Sequence, residues 1–150
     1  MEKAPPTTRL EEQEGFTEAT DSPEASGNDR LVLVVDDVVD NIVVISLSLQ
    51  QAGYRVVTAS NGEEAINVAT LSNPDIILMD IGMPVLDGLG AARKIRDDPA
   101  LSRIPIVAVS AFNTDGFLRA AYDVGFNGYL TKPINFDRLF DLIKSLLPDG

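Results

Sequence analysis

The chain lacks two residue types that carry much of protein chemistry: it has no cysteine and no histidine among its 150 residues. Without cysteine there is no disulfide framework and no thiolate chemistry. Without histidine the commonest general base and metal ligand is missing, and the chain cannot itself carry a phosphohistidine. Any chemistry must therefore come from carboxylates, hydroxyls or lysine.

Basic residues and long apolar runs are also scarce. Twelve Lys and Arg face 23 Asp and Glu, a net charge of −11, which argues against nucleic acid or an anionic membrane as a direct partner. Apolar stretches such as Leu31–Val35 and Ile42–Ile45 are far shorter than a membrane span. No apolar segment follows a basic start, so we expect no secretory signal and a cytoplasmic location.

The length fits one domain, and the charge is unevenly distributed along it. Residues 1–29 hold eight acids and two bases, with Leu10 and Phe16 as the large apolar residues after Met1. Such a segment buries too little surface to order itself, so we expect a disordered acidic tail, more plausibly a solubilising leader than a binding segment. The folded domain is expected at 30–150.

Short apolar runs alternate with longer amphipathic ones from Leu31 onward. Continuous apolar strands are typical of a parallel sheet covered on both faces by helices. The alternation predicts a three-layer, doubly wound α/β domain of five βα units. The predicted strands are Leu31–Val35, Arg55–Ala59, Asp75–Met79, Ile104–Val109 and Gly128–Leu130. The predicted helices are Val39–Ala52, Glu63–Leu71 capped by Asn61, Asp87–Arg96, one from Asn113 or Thr114 to Gly125, and one capped by Asn135.

The first helix has the weakest propensity, because it is rich in Ile and Val. A parallel strand pair needs a crossover, and Gly53 suits a C-terminal cap, so we predict a helix nonetheless. We expect Val44, Ile45, Ser48, Leu49 and Ala52 to face the sheet. Ile42, Val43 and Leu47 are then left over, either as a docking surface or because the helix is rotated from this prediction.

Polar residues follow several predicted strands at the point where each strand ends. They are Asp36 and Asp37 after the first, Asp80 after the third, Ser110 after the fourth and Lys132 after the fifth. Parallel strands deliver these ends to one edge of the sheet, where ligands bind in such folds. Clustered carboxylates suit Mg²⁺, and the lysine and hydroxyl suit a phosphoryl oxygen. The pattern indicates a site where a carboxylate accepts a phosphoryl group.

Each residue also has a purely structural interpretation. Asp36 or Asp37 alone is more often a helix cap, Ser110 a turn residue, Lys132 a surface residue and Asp87 a cap of the following helix. Asp80 is harder to explain in this way, because an apolar strand gains nothing by ending on an unpaired acid. Their joint placement favours the site.

The sequence resembles the receiver domains of two-component response regulators over about Leu31 to Leu147. The matching motifs are LVVDD (Leu33–Asp37), DIILMDIGMPVLDG (Asp75–Gly88), PIVAVSA (Pro105–Ala111) and GYLTKPI (Gly128–Ile134). The resemblance implies a flavodoxin-like parallel sheet of five strands in the order 2-1-3-4-5. It also implies that Asp80 is the phosphoacceptor nucleophile, and that Asp36, Asp37, Asp80 and the backbone carbonyl of Gly82 hold Mg²⁺, with Mn²⁺ as a substitute.

The resemblance also implies roles around the phosphoryl group. Ser110 matches the switch hydroxyl, Tyr129 the aromatic switch, and Lys132 the lysine paired to the phosphate, followed by a cis bond to Pro133. Small Ala111 allows access to Asp80. Gly82 and Phe112 depart from common family residues at positions that influence phosphoaspartate hydrolysis, which leaves the lifetime of the phosphorylated state open.

The expected function is that of a single-domain response regulator, not an enzyme beyond its own phosphorylation and dephosphorylation. A sensor histidine kinase or histidine phosphotransfer protein would be the donor, and a downstream protein the target, contacted through the fourth helix, fifth strand and fifth helix. The chain would be a monomer or a phosphorylation-dependent dimer. Two alternatives keep the receiver domain: a phosphate-shuttling relay intermediate and a non-phosphorylated pseudo-receiver. A phosphatase with an Asp nucleophile is disfavoured by Gly82, because such enzymes usually have a second acid at that position. A nucleotide or flavin binder is disfavoured because no Gly-rich loop follows the first strand.

Overall fold

The computed structural model describes residues 29–81, 88–111 and 115–147. Within them, five strands alternate with five helices. The strands are β1 (Leu31–Val35), β2 (Arg55–Ala59), β3 (Ile76–Asp80), β4 (Ile106–Ser110) and β5 (Gly128–Thr131). The helices are α1 (Val39–Gln51), α2 (Gly62–Ser72), α3 (Gly88–Asp97), α4 (Asp115–Val124) and α5 (Phe136–Leu146).

The strands form one parallel sheet in the order β2-β1-β3-β4-β5, which confirms the predicted doubly wound fold. The order reverses between β1 and β3, so the helices that follow these strands lie on opposite faces of the sheet. A crevice is left at the carboxyl ends of β1 and β3. All five strands point their carboxyl ends toward this edge.

Residues of each central strand alternate between two apolar cores, one on each face of the sheet. Leu33, Ile77 and Ala108 pack with residues of α2, α3 and α4. Val34, Leu78 and Val107, on the other face, pack with residues of α1 and α5. Burial on both faces explains why these strands read as continuous apolar runs.

Element boundaries differ from the sequence predictions by one or two residues. β3 and β4 end on Asp80 and Ser110, so both polar residues still belong to the ladder. β4 begins at Ile106 rather than Ile104, because Ile104 lies in the loop after α3. There the Ile104 amide donates a hydrogen bond to the Leu101 carbonyl. Asn61 and Asn135 cap α2 and α5 as expected, through their side-chain oxygens.

The rotation of α1 was predicted only in part. Ile45 and Leu49 are buried and Val43 and Leu47 are exposed, as expected. Val44 is 53% exposed, and Ile42 packs on the core, so those two assignments were wrong. The buried stripe runs through residues 42, 45, 49 and 52, at intervals of three to four, and Val44 lies about 100° from Ile45 on the helix surface.

Several sequence predictions lie outside the described residues: the acidic tail, Gly82, the cap Asp87, Phe112, and the start of the fourth helix at Asn113 or Thr114. In the described part of the chain, no helix combines the length and apolar character needed to cross a membrane.

Candidate functional site

Two strands bring Asp36 and Asp80 together at the carboxyl edge of the sheet. β1 and β3 are neighbours with Val35 opposite Met79, so the residues that follow, Asp36 and Asp80, also lie side by side. Both carboxylates are buried, with relative exposures of 2% and 8%. Burial of like charges at this spacing is unfavourable unless cations or hydrogen bonds compensate.

Lys132 supplies one compensating charge from across the site. Its Nζ donates to Asp36 Oδ2 at 3.2 Å and to Asp80 Oδ2 at 3.3 Å. Its backbone amide donates to the Ser110 carbonyl at 2.9 Å, which ties the end of β5 to β4. The Lys132–Pro133 peptide bond is cis, as the resemblance implied.

Opposing effects set the charge state of this lysine. Burial of Lys132 acts to lower its pKa, but the carboxylates of Asp80 and Asp36 together outweigh it and hold the pKa above its ordinary value. The ammonium is therefore cationic at neutral pH. A permanently charged Lys132 can pair with an anionic phosphoryl oxygen as well as with the two acids.

Asp37 adds a third carboxylate beside the buried pair. Asp36, Asp37 and Asp80 each offer an oxygen, and the three oxygens lie within 4.8 Å of one another. Oxygen ligands of an octahedral Mg²⁺ are about 3 to 4 Å apart, given Mg–O distances near 2.1 Å. Asp37 is exposed, so its side chain has room to adjust. The donor set, hard oxygens with one open side, fits a magnesium ion.

The start of α1 anchors Asp36 in place. Asp36 Oδ1 accepts the Val38 amide at 2.9 Å, and Oδ2 accepts the Asn41 side-chain amide at 3.2 Å. Sequence reasoning missed Asn41. The available signal was a carboxamide in the first turn of the predicted helix, five residues after the candidate ligand Asp36.

The two predicted switch residues occupy different depths. Ser110 is 1% exposed at the end of β4, in the strand beside Asp80. Tyr129, in β5, pairs with Ala108 across the ladder and is partly buried against the core under α4. Ala111, directly after Ser110, is exposed. The structure brings four of the predicted residues together: Asp36, Asp37, Asp80 and Lys132. Ser110 ends the strand next to that of Asp80. Tyr129 packs against the core on the sheet face covered by α4.

An apolar surface adjoins the site on the α1 side. A groove of about 470 Å³ is lined by Asn41, Val44, Ile45, Lys132, Pro133, Ile134 and Phe136. Beside it, Val39, Val43, Val44 and Leu47 are each about half exposed or more. We call these four residues the α1 ridge. Adjacent exposed apolar residues beside a groove form a candidate contact surface for another protein.

Comparison with known proteins identifies the fold and the family. The response regulator receiver domain family matches residues 32–144. The polar-differentiation response regulator DivK of Brucella anthropi is 36% identical over 119 residues, covering 79% of this chain and 97% of DivK. The response regulator PleD of Caulobacter vibrioides is 38% identical over 115 residues, covering 77% of this chain and 25% of PleD. The chain thus corresponds to about a quarter of PleD.

Two solved structures resemble the fold closely. The receiver domain of the sensor histidine kinase PA1611 from Pseudomonas aeruginosa, with magnesium coordinated in its active site cleft, matches with a TM-score of 0.75 and 34% identity, over 80% of this chain and 98% of that one. A chain of the co-crystal structure of Ypd1, a Saccharomyces cerevisiae histidine phosphotransfer protein, with the receiver domain of its response regulator Ssk1 matches with a TM-score of 0.73 and 32% identity, over 79% and 89%. With most of its length matched by the family and its carboxylates at the crevice of a 2-1-3-4-5 sheet, this chain belongs to the response regulator receiver domains of two-component signalling.

Proposed function

We propose that the chain accepts a phosphoryl group on Asp80 from a phosphohistidine of a partner protein, in a Mg²⁺-dependent reaction, and signals through phosphorylation-dependent protein contacts. The observation that carries this proposal is the buried acid pair bridged by one lysine: Lys132 Nζ lies 3.2 Å from Asp36 and 3.3 Å from Asp80. Carboxylates paired with a lysine ammonium form a site that can receive an anionic phosphoryl group, because the ammonium can pair with a phosphoryl oxygen.

The transfer forms one bond and breaks one. An Asp80 oxygen attacks phosphorus, the P–O bond forms as the P–N bond to the donor imidazole breaks, and the electron pair leaves with that imidazole. Lys132 exchanges an Asp80 oxygen for a phosphoryl oxygen, and Ser110, in the neighbouring strand, donates its hydroxyl to another. When bound by Asp36, Asp37, Asp80 and the Gly82 carbonyl, Mg²⁺ or Mn²⁺ would supply positive charge to the transferring group.

The magnesium part of the proposal rests on donor chemistry and on a relative. The three carboxylates offer oxygens within 4.8 Å of one another, which Mg²⁺ prefers over nitrogen or sulfur. The PA1611 receiver domain, similar in fold and sequence, has magnesium coordinated in its cleft. We propose magnesium for this chain on the basis of its carboxylate cluster and of this similarity.

The donor would dock on the α1 side of the site. Asp80 is buried, so a phosphohistidine must be brought close to it by a protein surface. The groove between α1 and the start of α5 reaches Lys132 itself, and the α1 ridge extends it with exposed apolar area. The similarity to the Ypd1–Ssk1 pair supports a sensor kinase or a histidine phosphotransfer protein as this donor.

The signal would be passed on through a second surface, formed by α4, β5 and α5. Ser110 ends β4 and Tyr129 lies one strand over in β5, so a hydroxyl drawn toward a phosphoryl group changes the packing beneath α4. We propose that α4, β5 and α5 present this change to a protein target as a population shift. Passing the phosphoryl group onward in a relay would use the same chemistry, and the phosphorylated form would be a monomer or a dimer.

Acetyl phosphate with Mg²⁺ tests the proposal without the unknown donor. We expect intact-mass spectrometry to show the addition of one phosphoryl group, located on Asp80 by peptide mapping, and none on the Asp80→Asn variant. Addition should stop when EDTA removes the metal. An unmodified wild-type chain would favour the pseudo-receiver, a binding module that is never phosphorylated.

A further inference from the structure

Asn41 is the polar residue through which α1 contacts the acidic site. It lies in the first turn of α1, and its Nδ2 donates to Asp36 Oδ2 at 3.2 Å. It also lines the groove beside Lys132. The N-cap position of α1 is occupied by Val38, and no side chain caps the helix there. The Asn41 side chain instead donates to Asp36, so its polarity serves the site rather than the helix end.

The contact completes the set of donors that hold Asp36. Oδ1 is fixed by the Val38 amide at 2.9 Å, and Oδ2 is shared by Asn41 and by Lys132 at 3.2 Å each. At 2% exposure, Asp36 has little access to bulk water that could replace a lost donor. The Val38 amide, just before α1, and the Asn41 side chain, in its first turn, thus hold one oxygen each and set the plane of the carboxylate.

Lys132 cannot remain a hydrogen-bond donor to Asp36 throughout the reaction. The cluster of Asp36, Asp37, Asp80 and Lys132 carries a formal charge of −2, which one divalent cation balances. An arriving phosphoryl group competes for the Lys132 ammonium. When Lys132 turns to it, Asn41 is the donor left on Asp36 Oδ2 among the contacts described, and it is neutral, so it does not oppose the cation.

We propose that Asn41 is a positioning residue for the divalent cation: its amide holds the Asp36 carboxylate in the orientation that binds the metal. This inference rests on the proposed function, which assigns the cation to Asp36. Groups that orient a metal ligand from behind commonly change metal affinity by about 10-fold or more when removed.

The test is the Mg²⁺ affinity of Asn41→Leu, which keeps nearly the same shape and removes the amide. Isothermal titration calorimetry with MgCl₂ should give a Kd about 10-fold weaker than wild type. Val44→Ala is the matched control, because Val44 lines the same groove on the same helix and has no role toward Asp36. Its Kd should equal that of wild type. Urea unfolding in EDTA checks that both variants are folded under the conditions of the titration.

Each outcome decides the inference. An Asn41→Leu chain that binds Mg²⁺ as tightly as wild type overturns it, as does an equal loss in Val44→Ala, and Mg²⁺-dependent phosphorylation of Asp80 would stand in either case. Asn41→Ser, whose short hydroxyl does not reach Asp36, provides the same comparison if the leucine variant does not fold. If wild type takes up Mg²⁺ in an Asn41-dependent way but is never phosphorylated, the proposed function fails and the positioning role remains. If wild type binds no Mg²⁺, both fail.

Discussion

Arg96 holds the backbone carbonyl of Gly125 with two nitrogens of its guanidinium, Nε at 3.0 Å and Nη2 at 2.8 Å. The same side chain reaches the carbonyls of Ser102 and Ile104 through Nη1 and the Asn127 side-chain oxygen through Nη2. Burial lowers the pKa of Arg96 from its ordinary value, but the group remains charged near neutrality. One residue at the end of α3 thus joins the loop before β4 to the turn before β5.

Replacing Arg96 by Met should destabilise the domain. Methionine keeps the apolar stem and removes every donor, so several partly buried carbonyls lose their partners, at a cost of about 2 kcal/mol or more in unfolding free energy. Urea denaturation followed by circular dichroism measures it. Arg93→Met, an exposed position on the same helix, is the control and should change stability little. Equal losses in the two variants would contradict the bridging role.

Gly125→Ala should be destabilising for two reasons at once. Gly125 has a φ of +109°, where an alanine costs about 1–2 kcal/mol in backbone strain. A Cβ there would also lie 2.8 Å from Arg96 Nε and 2.9 Å from its Cγ, displacing the bridge. Gly116→Ala is the matched control: it lies in α4 with nothing within 4 Å of an added Cβ. It should hold or raise the thermal midpoint, while Gly125→Ala lowers it.

Gly88 should be intolerant of any side chain for a reason connected to the site. An added Cβ would lie 2.5 Å from the Asp80 carbonyl and 2.7 Å from Ile81 Cα, and neither backbone atom can move without moving the phosphoacceptor. We expect Gly88→Ala to cost about 1–3 kcal/mol and to slow phosphorylation by acetyl phosphate relative to Gly116→Ala. A variant that is phosphorylated at the wild-type rate would show that α3 can shift without disturbing Asp80.

The sequence predicted the fold and the placement of the main polar residues because both follow from short-range patterns. Apolar strands that end on Asp80 and Ser110, or directly before Asp36, place those residues at one edge in any parallel sheet. The rotation of α1 was less predictable, because residues 42–45 are four consecutive apolar residues that span a full helical turn and therefore do not single out one face. Val44 was therefore assigned to the core although it is exposed.

The sequence did not predict hydrogen bonds between side chains and oxygen atoms that are distant along the chain. Arg96 reads as one more charge near the end of a helix, and its partners are in turns up to 31 residues away. Asn41 reads as a polar residue in a first turn. Both roles depend on where backbone oxygens and carboxylates lie after folding, which residue type and spacing do not encode locally.

Glu64 should make stability depend on pH in a defined direction. Its carboxylate accepts hydrogen bonds from the Ser60 amide and hydroxyl, which hold the pKa of Glu64 below its ordinary value. A depressed folded-state pKa contributes stability above the unfolded pKa, and that contribution is lost as pH falls through the folded pKa. Glu64→Gln should therefore be less stable than wild type at pH 7, with the difference narrowing below about pH 4. A difference that stays constant from pH 7 to pH 3 would show that the charge of Glu64 plays no part.

Asp37 should lower the stability of the metal-free domain and raise its affinity for Mg²⁺. Without metal, its carboxylate adds to the negative charge of Asp36 and Asp80, so Asp37→Asn should raise the unfolding free energy in EDTA, by about 0.5 kcal/mol for an exposed charge. With Mg²⁺ at about 100 times its Kd, wild type gains about 2.7 kcal/mol, and a variant that binds 10-fold more weakly gains about 1.3 kcal/mol less. The order of stability should therefore reverse between EDTA and saturating MgCl₂. NaCl at matched ionic strength separates screening from binding, because it should leave the variant the more stable of the two. If the order in MgCl₂ is the same as in NaCl, Asp37 is not a ligand of the ion.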